Sequence, residues 1–335
     1  MSASADRVSL VAALSHTPVL TVSQWRDASP FVRYLIAVRA PVLAMTFAAA
    51  ALGGALAWWR GAIDVVAWSV CAMGLLLAHA TNNLLNDLTD SLTGVDRGDY
   101  FRTRYGTHVL EHGLMSRRAL TGLTVATGAP ALAAGLWLTA RVGPDVAWLL
   151  GAGAFLLVFY TYPLKRLGLG ELAVLLAWGP LMIGGADLVA SHAWHWSAAG
   201  VGIVAGLPPT TVIFGKHLDK LGCDAARGIG TLPVRLGAER SRAAVVAMSV
   251  APYPALAVLA VPGHVPWTAA LVAFALPAAR RAIRAFRHDP PPARPADYPH
   301  DVWPLWYSAY AFAHARRFGT MLLASFGVAC VIRWL

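Results

Sequence analysis

The sequence predicts an all-α, polytopic membrane protein in which about nine transmembrane helices surround a central cavity, as a single domain over residues 1–335. Hydrophobic residues make up 57% of the chain and charged residues only 13%, whereas soluble proteins carry about 25% charged residues. Apolar blocks of spanning length also recur from one end of the chain to the other. Together these observations exclude a soluble domain.

Nine apolar segments are predicted to cross the bilayer, with boundaries uncertain by about two to four residues. The segments are Tyr34–Trp59, Val65–Leu85, Ala119–Ala140, Val146–Tyr162, Leu172–Ala190, Ala198–Phe214, Ala243–Val261, Pro266–Ala285 and Ala309–Trp334.

Lysine and arginine concentrate in alternate connections, which predicts the topology. The positive-inside rule places the amino terminus in the cytoplasm, residues 1–30 as a cytoplasmic segment, and the carboxy terminus outside. Because the net charge of +10 is explained by these loops, no nucleic-acid partner is predicted. The basic connections contain, in order, Arg97, Arg102, Arg104, Arg117 and Arg118; Lys165 and Arg166; Lys216, Lys220, Arg227, Arg235, Arg240 and Arg242; and Arg280, Arg281, Arg284, Arg287 and Arg294.

Amides and carboxylates close the second predicted span. Asn83, Asp87 and Asp90 share one helix face through i, i+4 and i, i+3 spacing, Asn86 adjoins Asp90, and Asp96 follows. Polar groups at membrane depth are costly and point to a working site, and oxygen ligands suit a hard cation such as Mg²⁺. The alternative is a hydrophilic helix end that meets the lipid headgroups.

A second acidic cluster follows the sixth predicted span and contains Asp219 and Asp224 among basic residues. Two carboxylate clusters on one membrane face can share cations, and bridging Mg²⁺ lets carboxylates hold an anionic diphosphate. Nearby lysine and arginine would neutralise the remaining phosphate charge, and the apolar bundle would house a hydrocarbon tail. The combination predicts an enzyme that ionises a polyprenyl diphosphate.

Several motifs, in order, resemble the UbiA superfamily of intramembrane prenyltransferases from about Arg39 to the end of the chain. The first aspartate-rich motif is in the variant typical of the 1,4-dihydroxy-2-naphthoate prenyltransferase branch. The matching stretches are Arg39-x-Pro41; Asn86-Asp87-x-x-Asp90-x-x-x-Gly94-x-Asp96; Tyr160-x-Tyr162-Pro163-Leu164-Lys165-Arg166 with Gly168-Leu169-Gly170-Glu171; and Asp224-x-x-x-Gly228-x-x-Thr231-Leu232.

The second motif departs from the family pattern. The family usually places two aspartates four residues apart, whereas Asp219 and Asp224 are five apart and Lys220 occupies the expected first position. On a regular helix, five positions rotate two side chains about 140° apart, against about 40° for four. Either a helix break at Gly222 restores convergence, or the second metal is held differently, with His217 contributing.

The resemblance implies a role for each group. Asp87, Asp90, Asp96, Asp219 and Asp224 would bind Mg²⁺, with Asp90 and Asp224 essential to catalysis. The aromatic face of Tyr160 would stabilise an allylic carbocation; interfacial anchoring is its plainer interpretation. The expected diphosphate contacts, some of which also read as topology-determining basic residues, are Lys165, Lys216, Lys220, Arg227, Asn83, Asn86 and Arg39.

The predicted function is Mg²⁺-dependent transfer of an isoprenoid chain from a polyprenyl diphosphate to a lipophilic acceptor, aromatic or a quinone precursor, within the lipid bilayer. A membrane terpene cyclase of the same superfamily would ionise the same diphosphate and remains an alternative, as does an inactive homologue. A non-enzymatic carrier is a further alternative, although the carboxylates cluster at one membrane face instead of at the midplane.

Overall fold

The computed structural model describes residues 8–94, 101, 106–300 and 302–334, and within these ranges every regular element is a helix. The α-helices are α1 (Leu10–Ser15), α2 (Val22–Asp27), α3 (Pro30–Ala37), α4 (Ala40–Arg60), α5 (Val65–Leu92), α6 (Arg117–Val142), α7 (Pro144–Phe159), α8 (Gly170–Leu176), α9 (Gly185–Ser191), α10 (Trp196–Asp219), α11 (Leu221–Ala226), α12 (Leu232–Leu236), α13 (Ala238–Val250), α14 (Pro252–Ala260), α15 (Leu276–Phe286) and α16 (Tyr307–Trp334). A π-helical segment at Tyr160–Leu164 follows α7, and a second at Ala177–Gly184 connects α8 to α9. A 3₁₀ helix covers Trp267–Ala275.

Eight helices in the described ranges are long and apolar enough to cross a membrane. This confirms an integral, multi-pass membrane protein. The remaining predicted span, Pro266–Ala285, corresponds to the 3₁₀ helix and α15, whose last turns carry several arginines. This pair runs antiparallel to α16: Thr268 donates a hydrogen bond to the carbonyl of Ser325 (2.7 Å), and Phe286 stacks on Tyr307 with ring centroids 4.8 Å apart. The chain therefore passes along the bundle a ninth time at this position.

The first pass begins later than predicted. Instead of one helix from Tyr34, the structure has α3 and α4, separated at Arg39, which adopts a left-handed conformation with φ of 56°. Pro41 explains the break, because proline lacks an amide hydrogen and is accommodated only in the first turn of the new helix. The break places Arg39 at the end of the bundle that also holds Asp87.

Glycines allow α10 to approach the kinked α8–α9 pass, residues 170–191, closely. The chain bends at Gly179, just before Pro180, and Gly202 of α10 lies against this bend. A Cβ atom on Gly179 would lie 2.8 Å from the Gly202 carbonyl oxygen, so neither position tolerates a side chain without a shift of backbone. A second bend at Tyr162, before Pro163, turns the chain toward Lys165.

The amino-terminal helices pack over one end of the bundle. Ala13, Leu20 and Trp25 share a buried cluster with Leu84 of α5 and with Val109 of the α5–α6 connection. A cavity of about 530 Å³ lies below this cover. It is lined mostly by apolar side chains, which come from α5, α6, α7, the α8–α9 pass and α10. The candidate active site lies at the polar end of this cavity.

Candidate active site

The end of α5 presents two buried carboxylates, Asp87 and Asp90, on the face predicted from their spacing. Asp87 forms an ion pair with Arg39, and Nε2 of His108 lies 3.8 Å from Asp87 Oδ1. A positive φ is uncommon for a residue other than glycine and marks positions that the surroundings determine strongly. The salt bridge to Asp87 and the α3–α4 break together hold Arg39 over the cavity.

Lysines hold the other two site carboxylates. Lys165 Nζ donates to both oxygens of Asp90, at 3.0 and 3.2 Å, and Lys220 Nζ donates to Asp224 Oδ1 at 2.9 Å. Burial lowers the pKa of Lys220, and Asp224, Lys165 and Asp90 all act on its charge. Because such coupling requires proximity, the acidic groups of α5 and of the α10–α11 region converge on one region, although they are far apart in sequence.

Tyr160 lies near the same charged side chains. Its phenol is within electrostatic reach of Glu171, Asp90, Asp224 and Arg39, and its ring lines the cavity. Tyr162, two residues later, is instead 57% exposed and lies beneath Arg166, whose Cζ is 5.4 Å from the ring centroid. The backbone bend at Tyr162 separates these two tyrosines, so that only Tyr160 belongs to the site.

Amide side chains complete the polar end of the cavity. Asn83 Nδ2 donates to the carbonyl of Val38 (2.8 Å), which ties α5 to the α3–α4 break. Asn86 Oδ1 accepts a hydrogen bond from the Thr161 hydroxyl (3.1 Å). Arg39, Asn83, Asn86, Tyr160 and Lys216 all line the cavity. These contacts orient the amide groups beside the carboxylates.

Asp219 does not join this group. Its carboxylate accepts hydrogen bonds from the backbone amides of Trp306, Tyr307 and Ser308, at 3.2, 2.7 and 3.0 Å, and from the Ser308 hydroxyl at 2.6 Å. The first amides of a helix lack intrahelical acceptors, so Asp219 satisfies the start of α16. These contacts argue against the predicted metal role of Asp219 and give it a structural one.

The five-residue spacing is resolved by a helix break, but at another residue than expected. The backbone leaves helical geometry at Lys220, whereas Gly222, the predicted breaking point, lies inside α11. The break turns Asp219 toward α16 and Asp224 toward Lys220. Arg227 is exposed beyond α11, and Asp96 lies outside the described residues.

Sequence reasoning did not assign a role to Glu171. Its Oε1 accepts a 2.6 Å hydrogen bond from Nδ1 of His217, both side chains are buried, and Oε2 is buried without a hydrogen-bond partner. His217, considered above for the second metal, is therefore engaged by this carboxylate. The signal available in the sequence was an acidic residue at the very start of an apolar segment, a position where ionisable groups are rare.

Each site carboxylate is paired with a cation, and within the described ranges no three His, Cys, Asp or Glu side chains are grouped as a metal cluster. The chemistry of the donors nevertheless fits a hard cation, because Asp87, Asp90 and Asp224 are carboxylates and Asn86 adds an amide oxygen. A divalent cation arriving with a diphosphate would take over the carboxylates and leave the lysines for the phosphate oxygens. The arrangement is thus suited to an anionic ligand and its counter-cation at the mouth of an apolar cavity.

Comparison with known proteins gives consistent similarities. A model described as the UbiA prenyltransferase family matches residues 45–298. The 1,4-dihydroxy-2-naphthoate octaprenyltransferase of Escherichia coli (strain K12) is 27% identical over 218 residues, which are 62% of this chain and 70% of that protein. The 2-carboxy-1,4-naphthoquinone phytyltransferase of Synechocystis sp. is 28% identical over 261 residues, 75% of this chain and 81% of that protein.

Solved structures share the fold. A UbiA homolog from Aeropyrum pernix K1 superposes with a TM-score of 0.63 at 15% identity and covers 87% of this chain and 98% of that one. A UbiA homolog from Archaeoglobus fulgidus, bound to DMAPP and Mg²⁺, gives a TM-score of 0.58 at 16% identity over 88% of this chain and 99% of that one. At these identities the structural likeness supports the helical architecture alone.

Proposed function

This chain belongs to the UbiA prenyltransferase family and is a prenyltransferase, and on that premise we propose that it transfers an isoprenoid chain from a polyprenyl diphosphate to a lipophilic aromatic acceptor with the help of Mg²⁺. The observation that carries the proposal is that Asp90 and Asp224 lie near Tyr160 and that Asp87 pairs with Arg39, since both Tyr160 and Arg39 line the polar end of an apolar cavity. A diphosphate needs cations, and its hydrocarbon chain needs an apolar compartment.

The residues divide into two binding tasks. Asp87, Asp90 and Asp224 would hold Mg²⁺, Asp96 remains a predicted ligand, and Asp219 is left out because it binds the start of α16. When bound, Mg²⁺ would neutralise charge on the departing diphosphate. Once the carboxylates are engaged, the ammonium groups of Lys165 and Lys220 are placed to donate to phosphate oxygens.

Other side chains of the cavity wall would contact the substrate directly. Arg39 and Lys216 line the cavity beside Asn83 and Asn86, and we assign all four to the diphosphate. The ring of Tyr160 faces the same space, where an aromatic face stabilises the allylic cation formed as the diphosphate leaves. The predicted diphosphate contact of Arg227 has less support, since this side chain is exposed beyond the end of α11.

The acceptor class follows from relatives. Two relatives are named for a naphthoate and a carboxynaphthoquinone, so an oxygenated bicyclic aromatic compound is the acceptor we propose.

The helix directions support one orientation of the protein in the membrane. The site lies at the ends of α5 and α10 that lead into the basic connections, and the positive-inside rule places that face in the cytoplasm.

The test is an assay of the full-length protein in lipid nanodiscs. Pyrophosphate release and extractable products are measured with dimethylallyl, geranyl, farnesyl and geranylgeranyl diphosphates, 1,4-dihydroxy-2-naphthoate, and Mg²⁺ or EDTA. We expect Mg²⁺-dependent release that requires the acceptor and yields a prenylated naphthalene. Asp90→Ala and Asp224→Ala should lose this release, whereas Arg141→Ala, altered at the opposite end of the bundle, should keep it.

Three outcomes would count against the proposal. Release that persists unchanged in both aspartate variants would remove their metal-binding roles. Release without an acceptor, with cyclic hydrocarbon products, would identify a terpene cyclase. No release with any of the four diphosphates from a well-folded protein would favour an inactive homologue.

A further inference from the structure

A single histidine projects from α5 into the cavity below the site residues. His79 lies one helical turn before Asn82 and Asn83, and about 10 Å along the helix axis from Asn86. Its side chain lines the cavity and is within electrostatic reach of Arg39. The proposed metal and diphosphate contacts make no use of it. It is a polar group in an otherwise apolar stretch of the cavity wall.

Hydrogen bonds on one side of the ring fix its protonation. The indole Nε1–H of Trp178 donates to Thr46 Oγ1 at 3.0 Å, and Thr46 Oγ1 lies 2.7 Å from His79 Nδ1. The hydroxyl of Thr46 is fully buried, and His79 Nδ1 is the acceptor available to its hydrogen among the described contacts. Thr46 therefore donates to Nδ1, so the ring is neutral and carries its hydrogen on Nε2.

The Nε2–H group remains for a ligand. Within the described part of the chain, the hydrogen bonds of His79 involve Nδ1, and Nε2 is not sealed off by surrounding protein atoms. A hydrocarbon chain in the cavity has no acceptor to offer this donor. Since an unsatisfied polar group is costly when its surroundings become dry, the natural partner of Nε2–H is an oxygen atom of a bound molecule.

Trp178 indicates that the molecule bound next to His79 contains a flat ring. Its ring lines the cavity next to His79, with the two ring centroids 5.5 Å apart and the planes at 73°. The hydrogen bond from its Nε1 to Thr46 holds the indole in place, and the indole supplies an aromatic face in the cavity wall. A flat ring packs well against such a face, and an oxygen on that ring would reach the imidazole.

We propose that His79 is a specificity-determining residue for the acceptor, and that its Nε2–H donates a hydrogen bond to a hydroxyl or carboxylate oxygen of an aromatic acceptor packed near Trp178. The inference rests on the proposed function and assigns the acceptor a place between the diphosphate contacts and the apolar depth of the cavity. Thr46 is a positioning residue, because it acts by holding the tautomer and orientation of His79.

Direct binding measurements test this without turnover. The dissociation constant of 1,4-dihydroxy-2-naphthoate is measured on the full-length protein in nanodiscs, for wild type, His79→Leu, His79→Gln and Thr46→Val. Three analogues that each lack one oxygen substituent are measured in parallel: 1,4-naphthalenediol, 1-hydroxy-2-naphthoate and 4-hydroxy-2-naphthoate. Leu77→Met is the control, because Leu77 lies on the same helix as His79, is not among the residues that line the cavity, and has an apolar side chain.

We expect His79→Leu to weaken naphthoate binding about 10-fold and His79→Gln, which retains an N–H donor, to weaken it less. The dissociation constant of Thr46→Val for the naphthoate should lie between those of the wild type and His79→Leu. For the analogue that lacks the oxygen contacted by His79, the dissociation constants of His79→Leu and the wild type should be equal. Leu77→Met should bind all four compounds as the wild type does, and geranyl diphosphate should bind all variants equally.

The inference is overturned if His79→Leu binds the naphthoate as tightly as the wild type, if it weakens all analogues by the same factor, or if the wild type binds none of these compounds. A wild type that binds the naphthoate through His79 but releases no pyrophosphate would contradict only the proposed function. Comparable thermal unfolding of His79→Gln and wild type excludes misfolding as the cause of a loss.

Discussion

The two ends of the helical bundle both bury carboxylates against cations, yet they use them differently. At the opposite end from the candidate site, Asp187 of α9 is fully buried and contacts Arg60 and Nδ1 of His195, the latter at 2.9 Å. Nearby, Asp64 binds Arg141 (2.8 Å) and also accepts the backbone amide of Ala67 at the start of α5. These groups connect α4, α5, α6 and α9 to one another.

At the site end, the paired groups lie close to one another and to Tyr160, which lines the cavity together with Arg39. Lys165 and Lys220 hold acids from different helices, and Lys165 and Asp90 both lie within electrostatic reach of Lys220. At the opposite end, each acid completes a helix end or joins two passes. A buried ion pair therefore does not mark function by itself; the presence of a cavity and of mutual coupling between pairs distinguishes the two ends.

The largest contrast is expected between Asp90→Asn and Asp187→Asn. Loss of a proposed metal ligand, Asp90, should lower Mg²⁺-dependent pyrophosphate release about 1,000-fold, the equivalent of about 4 kcal/mol. Asp187→Asn instead leaves Arg60 without its anion and should lower the free energy of unfolding by about 3 kcal/mol. Rates are measured per folded molecule, and stability by thermal unfolding in detergent. A fall in the rate per folded molecule of Asp187→Asn would erase the distinction between the ends.

A second contrast concerns the cations. Lys165→Met should raise the KM for geranylgeranyl diphosphate about 30-fold, because the proposed hydrogen bond from the Lys165 ammonium to a phosphate oxygen is lost. Arg141→Met, at the exposed end of its pair with Asp64, should leave that KM unchanged. Lys165→Arg, which retains the charge, serves as the control. Equal KM values for Lys165→Met and the wild type would restrict Lys165 to holding Asp90.

Local patterns in the sequence predicted the helical passes and the shared face of Asn83, Asp87 and Asp90, because helix periodicity is a local property. They did not predict the fate of Asp219, whose partners are the first amides of α16, nearly ninety residues away. The break at Lys220 likewise depends on tertiary contacts. His79 was overlooked because a lone histidine in an apolar run gives no signal until the cavity and Thr46 are placed beside it.

The aromatic residues at the site offer a third, smaller contrast. Tyr160→Leu should lower kcat about 10-fold, because it removes the aromatic face proposed to stabilise an allylic cation. Tyr160→Phe keeps that face and should retain most of the rate. Tyr162→Leu, at a residue that is 57% exposed, should change kcat about 2-fold or less. Equal losses in the two leucine variants, measured by product formation at saturating substrate, would point to membrane anchoring as the common role.

The smallest effect should be a pH-dependent one at the opposite end. The backbone amide of Ala67 and the side chains of His192 and Arg141 lower the pKa of Asp64 from its ordinary value of 3.8. A carboxyl group whose pKa is lower in the folded state stabilises the fold above the unfolded pKa and loses that contribution as pH falls through the folded pKa. Asp64→Ala should therefore cost about 1 kcal/mol of unfolding free energy at pH 7, and the difference from wild type should shrink below about pH 4.

Asp64→Asn separates the two contributions of this carboxylate. Asparagine caps a helix about as well as aspartate but carries no charge, so at pH 7 this variant should lie between Asp64→Ala and the wild type, and it should lack the acid-dependent loss of stability of the wild type. Thermal unfolding between pH 3 and pH 8 measures both quantities. Pyrophosphate release at pH 7 should be unchanged in either variant, because Asp64 stabilises the start of α5 whereas Asp87 and Asp90, the proposed metal ligands, lie at the far end of the same helix. If Asp64→Asn instead lowered turnover with its stability intact, the charge at one end of α5 would act on chemistry at the other, and the two ends would have to be treated as one functional unit.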